Sequence, residues 1–76
     1  MMVSPQDIKQ WISEGMPGSN VEVEGDGQHF EAVIVSSEFS GKSLIQRHQM
    51  VYGVLGDRMK SQIHALSMKT LTPDEL

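Results

Sequence analysis

The stretch VEVEGDGQHFEAVIVS, residues 21–36, decides the fold. Val21 and Val23 alternate with Glu22 and Glu24, the period of a half-buried strand. Gly25-Asp26-Gly27 then supplies the residues that a tight reversal needs. From His29 to Ser36 the chain is apolar on both faces, with Phe30, Ala32 and Ile34 on one and Val33 and Val35 on the other, as suits a central strand.

Outward from this hairpin the period changes to that of a helix. On the N-terminal side, Ser4 is a cap, Pro5 suits the first helical position and Asp7 lies where an acid favours the helix dipole. Ile8, Trp11 and Ile12 form an apolar stripe, and Gly15 with Pro17 ends the helix. On the C-terminal side, a loop over Phe39-Ser40-Gly41-Lys42-Ser43 leads into the clearest stripe in the chain: Leu44, Ile45, His48, Val51, Tyr52 and Leu55. Gly53 and Gly56 predict a break, with a separate short helical turn over Leu55–Lys60. A last strand runs from Ile63 to Thr70, and Thr72-Pro73-Asp74-Glu75 begins another helical turn. The order is that of an α+β fold, a two-layer αββααβ sandwich with a three-stranded mixed sheet covered by helices on one face. The whole chain, 1–76, reads as one domain.

Composition removes several function classes. There is no cysteine, so a disulfide framework and a thiolate ligand or nucleophile are excluded, and any sulfur ligation must come from a partner. The longest apolar run, Ala32–Val35, is too short to cross a bilayer, and the N-terminal sequence resembles neither a signal nor a transit peptide; the expected location is cytoplasmic, with no membrane partner. Ten acids against six bases give a formal charge of −4, which opposes non-specific binding to phosphate backbones. The bases concentrate in the second half, however, where Lys42, Arg47, Arg58 and Lys60 are candidates for phosphate contact.

No catalytic constellation is legible, and the chain is not expected to be an enzyme. Gly41-Lys42-Ser43 has the end of a phosphate-binding loop, but Ser36 stands where that motif needs glycine. Serine and histidine are present without a nucleophile turn or an orienting acid. The three histidines are spaced too far apart to share a helical turn, so metal binding requires convergence in space. His48 falls on the apolar stripe and reads as a structural or site-edge residue with a satisfied ring nitrogen, whereas His29 and His64 lie near strand ends beside loops.

The residues Asp26-Gly27-Gln28-His29-Phe30, Val35 through Leu44, Arg47-His48 with Val51-Tyr52, His64-Ala65-Leu66 and Thr72-Pro73 resemble the signature of the BolA family, from about Val21 onward. The resemblance implies a fold related to class II KH domains, although the Gly-x-x-Gly clamp of those domains is absent here. It implies an adaptor that pairs with a monothiol glutaredoxin and shares a bridged [2Fe-2S] cluster with it and glutathione, holding no cofactor alone, as a monomer or weak homodimer. By the same resemblance the ligands on this side are His64 and His29, and imidazole in place of thiolate makes a cluster of higher potential. The alternative it implies is a DNA-binding transcriptional regulator of stress response and cell shape, with Lys42, Arg47, Arg58 and Lys60 in the segment assigned to DNA. Gln49 stands where a second basic residue is common in the family.

Overall fold

The computed structural model describes residues 3–63 and 65–76. Helix α1 (Pro5–Gly15) precedes a hairpin of β1 (Asn20–Gly25) and β2 (His29–Val35); a 3-10 turn (Ser37–Phe39), α2 (Leu44–Leu55) and α3 (Arg58–Ser61) lead to β3 (Ala65–Leu71) and a last 3-10 turn (Pro73–Glu75). The expected α+β order is therefore present. β3 starts at Ala65 and includes Leu71, so Ile63 lies before the strand, buried.

The start of α1 closes as the sequence predicts. The Asp7 backbone N–H donates to Ser4 Oγ at 3.2 Å, and Asp7 Oδ2 accepts from the Ser4 N–H at 2.9 Å, so two of the helix's otherwise unpaired donors are satisfied reciprocally. Ile8 and Ile12 are fully buried. Trp11, half-buried, carries the Arg58 guanidinium over its ring, 4.6 Å from the centroid.

The strand order is β1-β2-β3, antiparallel between β1 and β2 and parallel between β2 and β3. A parallel pair needs a crossover, here supplied by the segment containing α2 and α3. Register puts Val21 opposite Ile34, Val23 opposite Ala32, Phe30 opposite Leu66 and Ile34 opposite Thr70, all on the face that the helices cover. Phe30, Ile34, Ile8, Ile12, Phe39, Val51 and Leu55 are sealed from solvent, each worth roughly 1.5–3 kcal/mol of apolar transfer. Among the described residues no helix covers the opposite face, and Val33 stays 40% exposed there.

The break expected from Gly53 and Gly56 falls at Gly56, where φ is +58°, and the separate short turn after it is α3; Gly53 itself lies inside α2, which runs on to Leu55. One reading of α2 needs correction. The buried side is turned from the expected stripe. Val51 and Leu55 are buried, but Leu44, Ile45 and Tyr52 are exposed, while Arg47, Met50 and Val54 are half-buried. Near its C-terminal end α2 meets α1 closely, because a β-carbon at Gly15 would overlap the side chain of Val54. Gly15 therefore has a packing role beyond ending its helix.

This crossing predicts opposite outcomes for two glycines. Gly15→Ala lowers stability by about 1–3 kcal/mol through overpacking, despite alanine's better helix propensity. Gly53→Ala, where no heavy atom lies within 4 Å of the added carbon, raises it by about 0.5–1 kcal/mol. Urea unfolding of the two single variants measures both, and a Gly15→Ala protein as stable as the parent would contradict the close approach.

Candidate functional site

The end of the β1–β2 hairpin places the first of the sequence's candidate ligands. Asp26 Oδ1 accepts from the backbone N–H groups of Gln28 and His29, each at 2.9 Å, and the Asp26 N–H donates to the His29 carbonyl at 3.2 Å. Gly27 takes the positive φ of +99° that this turn requires. The N–H groups of His29 and then Gln28 hold the Asp26 carboxyl below its usual range. His29 is thereby fixed at both its backbone N–H and its carbonyl, while its side chain is exposed on the uncovered face of the sheet.

Beside it lies an open cleft of about 390 Å³ lined by Glu24, Asp26, His29, Phe30, Glu31 and Ser67, among others. Gly25 is needed at its wall, since a β-carbon there would come within 2.5 Å of the His29 carbonyl oxygen and Phe30 Cδ1. His29 pairs in register with Ala65. His64, the residue before Ala65 in the chain, lies outside the described residues. Among the described residues no three His, Asp or Glu side chains are spaced to hold a metal ion.

His48 sits half-buried on α2, and its Nε2 is shielded from solvent without a hydrogen-bond partner among the described residues. The expectation of a satisfied ring nitrogen is not met at that atom. Thr70 Oγ1 is in the same condition.

The four basic candidates do not gather into one patch. Arg47 is occupied within the protein: its Nη1 and Nη2 donate to Glu75 Oε1 and Oε2 at 2.7 and 3.2 Å, Nη1 also reaches the Thr70 carbonyl at 3.3 Å, and Nε reaches the Lys42 carbonyl at 3.1 Å. Its guanidinium lies over the buried Phe39 ring, 5.9 Å from the centroid. Arg58 is held over Trp11. Lys42 and Lys60 are exposed, but they lie before and after the 12-residue α2, a helix about 18 Å long.

Sequence reading missed the pairing of Arg47 with Glu75, 28 residues away. The one available signal was Thr72-Pro73-Asp74-Glu75, in which Glu75 folds back to accept the Thr72 N–H at 2.8 Å and so faces Arg47. The Arg47 guanidinium, then the Thr72 N–H, hold the Glu75 carboxyl down at about 2. A carboxyl depressed in the folded state stabilises the protein above its ordinary pKa near 4.5, and that stabilisation is lost as pH falls toward about 2.

Among the described residues no helix is long and apolar enough to cross a membrane. A family profile described as BolA-like protein matches residues 12–75. A solved structure of a BolA protein homologue from Coxiella burnetii superposes with a TM-score of 0.90 at 55% identity, covering 97% of this chain and 96% of that one. SufE-like protein 1, chloroplastic/mitochondrial, of Arabidopsis thaliana is 50% identical over 67% of this chain, and the DNA-binding transcriptional regulator BolA of Haemophilus influenzae is 41% identical over 67% of it. The matched segments span 14% and 50% of those two relatives' own lengths.

The Arg47–Glu75 pair predicts an acid signature. Urea midpoints of the parent fall between pH 5 and pH 2.5. In Glu75→Gln they start lower at pH 5 and fall less. Parallel pH profiles for the two proteins would show that the pair contributes nothing.

Proposed function

This chain belongs to the BolA-like family, and from that premise we propose that it is an adaptor that pairs with a monothiol glutaredoxin and shares a bridged [2Fe-2S] cluster with it in iron–sulfur handling or iron sensing. The observation that carries the reading is His29, an exposed imidazole on a backbone position locked by Asp26, beside an open cleft and in register with the residue that follows His64. The donor chemistry fits. A cysteine-free chain offers iron imidazole nitrogen, and the partner and glutathione supply sulfur. When bound, such a cluster supplies one-electron chemistry at a potential raised by histidine ligation.

In this reading the residues of the chain have distinct tasks. His29 and His64 donate nitrogen, Asp26 and Gly27 fix the turn that presents His29, and Phe30 seals the core beneath the cleft. The family also includes a relative named as a DNA-binding regulator. On this chain a direct DNA role would rest chiefly on Lys42 and Lys60, since Arg47 and Arg58 are engaged internally. Affinity that falls steeply with salt and weakens in Lys42→Ala would favour that role.

The adaptor reading is tested by mixing the chain anaerobically with a monothiol glutaredoxin, glutathione, iron and sulfide and recording visible circular dichroism. The parent converts the glutaredoxin spectrum to a new one; His29→Ala and His64→Ala each weaken or abolish the conversion. Acidification weakens it too, because imidazole binds metal only when unprotonated. A glutaredoxin spectrum unchanged by the parent chain would overturn the reading.

A further inference from the structure

The face of the sheet opposite the helices is laid out in rows. Asn20, Val35 and Leu71 form the first, Glu22, Val33 and Lys69 the second, and Glu24, Glu31 and Ser67 the third; His29 with Ala65 forms the fourth. Glu24 and Glu31 are direct cross-strand partners, and like charges in that relation destabilise a strand pair. Glu22 meets Lys9 at 3.8 Å, and the other ion pair among the described residues is Arg47–Glu75. Neither Glu24 nor Glu31 has a counter-charge there, although Lys69 stands only one row away.

Three features share this surface. The carboxylate pair lies one row, roughly 7 Å along the strand, from His29. Val33 lies one row on the other side, unusually exposed for an apolar residue of a central strand. A second shallow cleft, of about 280 Å³, runs along β2 and β3 past Glu31, Val33, Ser67 and Lys69, and it shares Glu31 and Ser67 with the cleft beside His29. The surface is therefore continuous from the imidazole, through two carboxylates with no ion pair among the described residues, to an exposed valine flanked by Glu22 and Lys69. That sequence of chemistries is complementary to a protein surface with a cation beside an apolar side chain, and it repels a phosphate backbone.

We propose that this uncovered sheet face is where the protein partner docks, meeting it with a lysine or arginine side chain set between Glu24 and Glu31. The inference rests on the adaptor reading and extends it, assigning the docking energy to a row of the sheet that holds no cluster ligand. Neutralising the two carboxylates then has two effects of opposite sign: the free chain gains stability because the repulsion is gone, and the complex loses affinity because the attraction is gone.

The test uses the full chain and its Glu24→Gln/Glu31→Gln double variant. Urea unfolding of the free proteins gives a higher midpoint for the variant. Titration with cluster-free monothiol glutaredoxin, followed by backbone amide shifts, perturbs Glu22, Glu24, Glu31, Val33 and Ser67 in the parent, and the variant binds about tenfold more weakly. At saturating glutaredoxin the variant recovers the visible circular dichroism of the shared cluster, because His29 is intact. Equal affinities of parent and variant, shifts centred on α2, or a variant no more stable than the parent would each overturn the docking face while leaving the cluster reading standing. A parent spectrum that never forms overturns the cluster reading, and a parent that does not bind glutaredoxin at all overturns both.

Discussion

Strand β2 is hydrogen-bonded on both edges, and everything at the candidate site depends on that double pairing. Its register is set once by the hairpin with β1 and again by the parallel pairing with β3. Phe30, Ala32 and Ile34 must face the helices, so His29, Glu31 and Val33 must face away. A slip of one residue would turn the core outward, since side chains alternate with a period of two. The apolar energy of the core thereby holds the imidazole on the open face. Asp26 adds a second constraint at the strand's first residue, taking up the N–H groups of Gln28 and His29 that the turn would otherwise leave unpaired.

A second clamp works at the other end of the molecule. Arg47 projects from the first turn of α2 and gathers Glu75, the Thr70 carbonyl and the Lys42 carbonyl, above the buried ring of Phe39. One side chain thus ties the loop before α2, the end of β3 and the C-terminal 3-10 turn together. The Arg47 side chain is only 12% exposed, unlike that of a surface pair, and its carboxylate partner is held bidentately. A residue whose charge invites a nucleic-acid reading is, in its geometry, mainly a fastener. The remaining exposed bases Lys42 and Lys60 stand at opposite ends of α2, whereas Glu24 and Glu31 beside the cleft form no ion pair among the described residues.

Local rules made much of the fold legible in the sequence. The cap at Ser4, the Asp26-Gly27 reversal, the alternation in β1 and the apolar run of β2 all act over a few residues, and each element stands close to where those signals place it. Non-local geometry was harder to see. The close approach of Gly15 to Val54 joins residues 39 apart in the chain, and a helical stripe alone does not say which flank a neighbour will cover. Phe39, in what reads as a loop, is fully buried because the chain folds it beneath Arg47. At the site, the exposed position of His29 followed from the hairpin. The opposition of Glu24 and Glu31 followed from pairing register, which the strand pattern does not state by itself.

The central claim is that imidazole nitrogen from this chain binds the iron of a cluster whose sulfur ligands belong to its partner. The most direct measurement is electron spin-echo spectroscopy of the reduced complex, made with this chain labelled with 15N-histidine and with unlabelled glutaredoxin and glutathione. The account predicts strong 15N hyperfine coupling to the cluster, with the larger potential shift that histidine ligation brings. A reduced cluster with no 15N coupling would show that the sulfur partner holds the cluster alone, and would contradict it.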